Sequence, residues 1–320
     1  MKKTLLVGAI VLFLQDTAKS CEYCFISEHG YVFDMNRTLI RLDSRFQSFS
    51  GLTKSPTSAD DVTATYTTMQ FTINYASGSW GYTVSLPYVY RFQKNTYVGA
   101  PALHYEHLGR EVSTVDSSSV ETQSARGIGD AVVLVRHAVL QQSGETFASA
   151  FVQAGVKLAT GFIGVRDAYG FLIHPHLQAG TGTTLALIGA SGSYGTPKQS
   201  LDGSVLAGIP VHAFGPFREA GSINYDLTYR FRILPEDAED GPMLIQHLGI
   251  IGRVSWKERY NGVYIADSGG HYLFVNAGLT FIPLPGFNID LFAQFPVIKQ
   301  LTGNQLDEQF RLASGIQVAL

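Results

Sequence analysis

The stretch that most limits what this chain can become is Met69–Phe92, MQFTINYASGSWGYTVSLPYVYRF. Met69, Phe71, Ile73 and Tyr75 alternate with Gln70, Thr72 and Asn74. After Ser77-Gly78-Ser79 the alternation resumes, with Trp80, Tyr82, Val84, Leu86, Tyr88, Tyr90 and Phe92 set against Gly81, Thr83, Ser85, Pro87, Val89 and Arg91. Side chains of a strand point to its two faces in turn, so the pattern predicts two strands joined by a tight turn. One face is apolar and rich in aromatics; the other is mostly polar, small or charged. The second strand is longer than is usual in a soluble sandwich and long enough to cross a bilayer at a tilt.

The rest of the chain repeats the pattern. Strands are expected at Thr38–Gln47, Asp130–Gln141, Phe147–Ala159, Thr183–Ser193, Gly203–Ala213, Ser222–Arg232, Leu244–Trp256, His271–Ile282, Phe287–Phe295 and Gln309–Leu320. Thr183–Ser193 and Gly203–Ala213 alternate least cleanly. With the hairpin this makes about twelve, within a range of ten to fourteen, and single-chain bacterial barrels have an even number. Odd-numbered connections are mostly long (Ser48–Thr68, Gln93–Ala125, Thr160–Gly182, Lys257–Gly270, Pro296–Glu308) and even ones often short (Ser77–Ser79, Gln142–Glu145, Pro283–Gly286). That is the asymmetry between external loops and periplasmic turns. It fails at Phe214–Gly221 and Ile233–Pro242, where a shifted strand would change the count by two. The fold class expected is all-β: an antiparallel transmembrane β-barrel over residues 37–320. The alternative is a soluble β-sandwich or secreted barrel, and aromatics at strand ends, as in interfacial girdles, argue against it. Leu320 stands where such barrels commonly end in an aromatic residue.

The first twenty residues read as a signal peptide. Lys2 and Lys3 precede an apolar run, Leu5–Leu14, and Ala18-Lys19-Ser20 offers a small-x-small cleavage site. The run is too short to span a membrane as a helix, and only helices and closed barrels satisfy their backbone in lipid. Export with no spanning helix points to the outer membrane of a Gram-negative bacterium. Residues 21–36 then form a periplasmic or plug segment carrying both cysteines, Cys21 and Cys24. The pair reads as a local disulfide; a lipid anchor on Cys21 and a soft-metal site with His29 are the alternatives. Phe25 follows Cys24, so the haem-attachment signal is absent.

Only 15% of the 320 residues are charged and the formal net charge is −3, which gives no electrostatic reason to bind nucleic acid. Neither an ATP-binding motif nor a cofactor motif is visible. Asp267-Ser268-Gly269-Gly270 resembles a protease nucleophile segment, yet Ala266 replaces its glycine and no matching histidine segment precedes it, so a glycine-rich loop is expected. His104-Tyr-Glu-His107 and His174-Pro-His176 lack the spacing of zinc-protease helices and read as polar loop residues. Gly127-Ile-Gly129 precedes a strand, not a helix, and is no nucleotide fingerprint.

The polar strand faces carry the candidate site. Arg41, Asp43, Arg45, Arg91, Arg136, Lys157, Asn224, Asp226, Arg230, Arg232 and Arg253 are expected to face the lumen, either pairing to fill it or lining a conduction path. The outer partners on the hairpin are Met69, Phe71, Ile73, Val84 and Leu86. A charge at Ile73 or Val84 is expected to cost about 2–4 kcal/mol near the bilayer midplane. The same change at Thr72 or Ser85 is expected to be nearly silent.

Several phrases occur together in order: Ser85-Leu-Pro-Tyr-Val-Tyr-Arg91, Arg126-Gly-Ile-Gly-Asp130, Gly155-Val-Lys-Leu-Ala-Thr-Gly161, Gln178-Ala-Gly-Thr-Gly182 and Phe295-Pro-Val-Ile-Lys-Gln-Leu-Thr-Gly-Asn-Gln-Leu306. The set resembles the outer-membrane transporters associated with the meta-pathway of phenol degradation, within the fatty-acid and aromatic-hydrocarbon transporter grouping. The resemblance covers roughly Arg37 to the C-terminus. It implies a twelve- to fourteen-stranded barrel and uptake of small, often hydrophobic molecules, and it supplies no list of substrate residues. Ala159 stands where that family suggests proline.

The sequence therefore points to a passive outer-membrane channel or transporter for a small solute, hydrophobic or aromatic ones included, with membrane lipid and solute as its partners and no cofactor. An outer-membrane enzyme of the lipid-hydrolase type is the second reading, and no convincing Ser–His pair supports it. A non-transporting barrel docking a periplasmic redox or metal partner through Cys21 and Cys24 is the third.

Overall fold

The computed structural model describes residues 37–53, 60–98, 118–167, 170, 172–234 and 242–320. The signal segment, Cys21 and Cys24, and His104–His107 lie outside the described residues.

Twelve antiparallel strands close a barrel. They are β1 (Thr38–Leu52), β2 (Asp60–Ser77), β3 (Trp80–Val98), β4 (Ser118–Ile128, resuming as Val132–Gln142), β5 (Phe147–Lys157) and β6 (Thr183–Gly195). There follow β7 (Gln199–Ala213), β8 (Ser222–Leu234), β9 (Met243–Ser255), β10 (Gly270–Leu284), β11 (Phe287–Leu301) and β12 (Leu306–Ala319). Each strand pairs with its neighbours in sequence, and β1 pairs with β12, from Leu39↔Ala319 to Leu52↔Leu306, to complete the ring. Closure leaves no sheet edge around the ring, which is what a strand structure in lipid requires. The connection 214–221 is one of the mouth loops, so the strand count stands at twelve.

The alternation read from the hairpin holds. Phe71, Ile73, Val84 and Leu86 lie exposed on the outer face, whereas Gln70, Thr72, Asn74, Thr83 and Ser85 are buried inside. Tyr75 and Tyr82 stack beside the 78–79 turn with ring centroids 6.3 Å apart, and exposed Trp80, Tyr194 and Tyr229 sit at that same end. Such a grouping suits the polar boundary of a membrane, where amphipathic rings are favoured.

Three expected loops are corrected. β2 begins at Asp60, β3 runs to Val98 and β4 begins at Ser118, so Ser48–Thr68 is largely strand and Gln93–Ala125 is strand over 93–98 and 118–125. β11 and β12 leave only residues 302–305 between them, where Pro296–Glu308 was expected. The reason is visible on β2, where the polarity of the two faces inverts above Thr68. Thr63, Thr65 and Thr67 take the outward positions there, and Val62, Ala64 and Tyr66 turn inward and are buried. A strand that has left the lipid gains nothing from an apolar outer face and can turn its apolar side to an internal core.

The core lies inside the barrel in two parts. Val132, Leu134, Leu185, Leu187 and Leu206 form an apolar stripe on the inner wall of β4, β6 and β7. Small residues make room for it: a Cβ on Gly155 would stand 2.7 Å from Leu134 Cδ2, and one on Gly189 would stand 3.0 Å from Leu206 Cδ1. At this wall the inner face, mostly polar elsewhere, is apolar. The second part, around Phe49 and Tyr66, belongs to the site.

Candidate functional site

The connection from β5 to β6, residues 158–182, turns into the barrel and crosses its mouth. Its two arms pass shoulder to shoulder at a neck beside the break in β4. A Cβ on Gly161 would lie 2.5 Å from Gly180 Cα and 2.9 Å from the carbonyl carbon of Gly129, and one on Gly180 would lie 2.4 Å from the Gly161 carbonyl carbon. Only glycines allow this approach. The three come from the phrases around Asp130, Gly161 and Gly180, which are distant in sequence and meet at one point.

Asp130 fastens the neck. Its Oδ1 accepts the Gly161 N–H at 2.9 Å, and its Oδ2 accepts the Thr181 N–H at 2.9 Å and the Thr181 hydroxyl at 2.7 Å. One carboxylate thus holds both arms. Lys157 Nζ donates to Asp130 Oδ2 at 3.1 Å, to Thr181 Oγ1 at 2.8 Å and to Glu219 Oε2 at 2.5 Å. Asp130 is fully buried and Lys157 is 1% exposed. Charges removed from water need such close pairing and added hydrogen bonds to be tolerated at all.

Beyond the neck the loop reaches the opposite wall. Ile173 and Leu177 pack with Phe49, Ala64, Tyr66 and Ala125 from β1, β2 and β4. The carboxamide of Gln178 braces the loop, accepting the Val165 N–H at 2.9 Å and donating to the carbonyls of Val165 at 2.9 Å and Ile173 at 3.2 Å. Arg91 on β3 donates from Nη1 to the carbonyls of His176 at 2.8 Å and Gln178 at 2.5 Å. His176 Nε2 lies 2.8 Å from Glu258 Oε2 on the 256–269 connection. That connection also forms a small three-stranded sheet with the 214–221 connection, through Arg259–Tyr260, Val263–Tyr264 and Phe217–Arg218. Three mouth loops are therefore joined.

Gly180→Ala is expected to spread the neck. Arg166 is exposed on the loop, so trypsin cutting after it reads the undocked population. Overpacking of this kind costs about 1–3 kcal/mol, enough for a rise of roughly tenfold in cleavage rate.

Below the loop, side chains fill the lumen. Arg41 Nε donates to Asp43 Oδ1 at 2.6 Å, and its Nη1 lies 2.8 Å from Asp290 Oδ2. Thr280 donates its hydroxyl to Asp290 Oδ1 at 2.5 Å, so His247 Nε2, 2.8 Å away, must donate to Thr280. Arg230 pairs with Asp202, and Ser204 donates to Asp226. Glu308 accepts from Gln47 and from Arg311 Nε at 2.6 Å, and the Arg311 guanidinium lies 3.8 Å over the Phe274 ring.

Of the residues expected in the lumen, Arg41, Asp43, Arg45, Arg91, Arg136, Lys157, Asn224 and Asp226 are buried; Arg230, Arg232 and Arg253 are half-buried. They do not form one cluster. Arg41 and Asp43 share a network, Arg91 and Lys157 hold the loop, and Arg232 donates from Nη2 to the Pro197 carbonyl at 2.8 Å near a turn. Sequence reasoning missed Asp130, Thr181 and Glu219. Asp130 and Thr181 stood inside the ordered phrases, but Glu219 lies in a short connection with no distinguishing signal.

The Ser268 hydroxyl donates to the Ile265 carbonyl at 2.8 Å and accepts the Glu258 N–H at 3.0 Å. It is a loop brace, as the glycine-rich reading expected. His174 and His176 stack at 5.0 Å, with His174 Nδ1 accepting the His176 N–H.

No family model and no curated protein matches the sequence. Among solved structures, an outer-membrane channel from Pseudomonas putida F1 superposes with a TM-score of 0.60 at 12% identity, over 90% of this chain and 97% of that one. This chain has the fold of an outer-membrane channel. The translocator domain of the autotransporter NalP from Neisseria meningitidis gives a TM-score of 0.49 at 10% identity, over 92% of each chain. The transport unit of the autotransporter AIDA-I from Escherichia coli gives 0.44 at 12% identity, over 95% of this chain and 99% of that one. The strand pairing itself gives the twelve-stranded antiparallel barrel expected from the alternation.

Proposed function

We propose that the protein is a narrow channel of the outer membrane, passing a small solute without a bound cofactor, with its mouth closed by residues 158–182. The observation that carries this reading is the way the loop is held. Its neck is fastened by buried charge, but its tip is held by two carbonyl bonds from Arg91, a part-buried contact between His176 and Glu258 and an apolar contact. The neck resists motion while the tip can leave. Such a device suits a passage that opens and closes.

The side chains that reach into the lumen below favour small solutes. Polar and charged groups line β1 and β8–β12, and the apolar stripe lines β4, β6 and β7, so a solute with both kinds of surface meets both. The driving force is the solute's own gradient.

Liposome swelling tests the reading. Native protein should admit small solutes slowly, and a variant with residues 164–177 replaced by a short Gly-Ser linker should admit them severalfold faster, with the size cut-off raised. A variant that remains folded yet swells liposomes no faster than native would contradict it.

A further inference from the structure

The small three-stranded sheet that joins two of the mouth loops has two unlike faces. What it touches identifies the inner one. Phe217 is buried with its ring 5.6 Å from that of His176, and Glu258 meets the same imidazole. Glu219, two residues past Phe217, also points inward and meets Lys157. Successive residues of a strand point to opposite sides, so Arg218 and Arg259 point away from the mouth, over the rim of the barrel.

These two arginines stand directly opposite each other, and Tyr264 stands opposite Arg259 on its other side. Cross-strand partners share a face, so the three side chains lie together. The Arg259 guanidinium lies 4.3 Å from the centre of the Tyr264 ring and donates to its hydroxyl. Arg218 donates from Nη2 to the Pro210 carbonyl at 2.8 Å, at the top of β7. Like charges directly opposite in a sheet repel. Among the described residues no carboxylate pairs with either guanidinium. Two guanidiniums so placed suit a phosphate, which accepts charge-assisted bonds from both. Just below, the outer wall is apolar and aromatic: Trp256, Phe214 and Val211 are exposed there. A Cβ on Gly221 would lie 3.3 Å from both the Trp256 and Pro210 rings, so Trp256 adjoins the residue that holds Arg218. Aromatic rings so placed mark the polar boundary of a membrane.

We propose that this outer face seats a phosphorylated glycolipid of the outer leaflet. Its phosphate lies between Arg218 and Arg259 and relieves their repulsion. Its acyl chains run down over Trp256, Phe214 and Val211. Its sugar meets Tyr264, whose ring keeps more than half its surface open. The seat lies outside the passage, so it stands or falls independently of the channel reading.

Native mass spectrometry of the folded full-length protein in a neutral detergent tests this, with diphosphorylated lipid A as the probe. Native protein should bind it at least tenfold more tightly than dephosphorylated lipid A, phosphatidylglycerol or inorganic phosphate. The double variant Arg218→Gln, Arg259→Gln should bind it at least tenfold more weakly than native. Should that variant not fold, Arg259→Gln alone should lose at least threefold. A control carrying Arg126→Gln and Lys299→Gln removes the same charge from exposed positions on β4 and β11 and should bind as native does. The proposal is overturned if the folded arginine variant binds lipid A as tightly as native, or if the control loses as much as the arginine variant. Equal binding of the dephosphorylated lipid would rule out the phosphate clamp. Equal binding of phosphatidylglycerol or of inorganic phosphate would mean that the face takes any phosphate, and would overturn the glycolipid seat.

Discussion

Asp130→Ala should free the mouth loop. The carboxylate joins Gly161 to Thr181 across the neck and meets Lys157, which also contacts Glu219. Its removal leaves two backbone N–H groups at the neck without this acceptor and takes one carboxylate away from Lys157. Removing one partner from a buried ion pair costs about 3–5 kcal/mol. The strand ladder from Val132↔Lys157 downward does not depend on Asp130, so the loss should fall on the loop and not on the barrel. Heat-modified electrophoretic migration should stay native-like, while trypsin cutting after Arg166 should rise by two orders of magnitude or more. Asp130→Asn should be intermediate. Its carboxamide can accept on one side only, and its NH2 would face either the Gly161 N–H or the Thr181 and Lys157 donors.

The second large effect lies on the outer face of the hairpin. Ile73 and Val84 sit opposite each other, four residues from the 78–79 turn, and both are exposed. Ile73→Lys or Val84→Lys should cost about 2–4 kcal/mol of assembly if the pair lies near the midplane. Refolding into liposomes across a urea series measures it. The inner positions will not be silent controls, which corrects the sequence expectation. Thr72 is fully buried and its hydroxyl lies 2.8 Å from Ser85 Oγ. A lysine there would be overpacked, at about 1–3 kcal/mol. Gln309, exposed on β12, is the better place for a silent change.

These two cases show what the sequence could reveal. Alternation is legible where one face meets lipid and the other meets polar groups, as at Phe71, Ile73, Leu227 and Tyr229, and there the strands were found with their faces correct. It blurs where both faces are apolar. Leu185 and Leu187 point inward while Ile188 points outward, which is why β6 and β7 alternate poorly. It inverts on upper β2, so that apolar residues on one constant face mark Asp60–Thr68 as loop although it is strand. The inversion from Met69 and Phe71 to Ala64 and Tyr66 was present in the sequence. It marks a strand rising out of the bilayer onto an internal loop.

The site was legible in fragments. Alternation marks Lys157 and Arg91 as charged inner residues, and the glycine phrases stand out by their order. That they meet follows from the register of β3, β4 and β5, and from a loop folding back between them. Neither is written in local periodicity. Glu219 could only be found in three dimensions.

Channel function of the kind proposed requires the 158–182 connection to close a passage. Single-channel conductance in planar bilayers, comparing native protein with Asp130→Ala under the same salt and voltage, tests it most directly. Native protein should be closed for most of the record, with brief small openings; Asp130→Ala should show openings that are longer and at least severalfold larger. Equal conductance in two equally folded proteins would mean that the loop closes nothing.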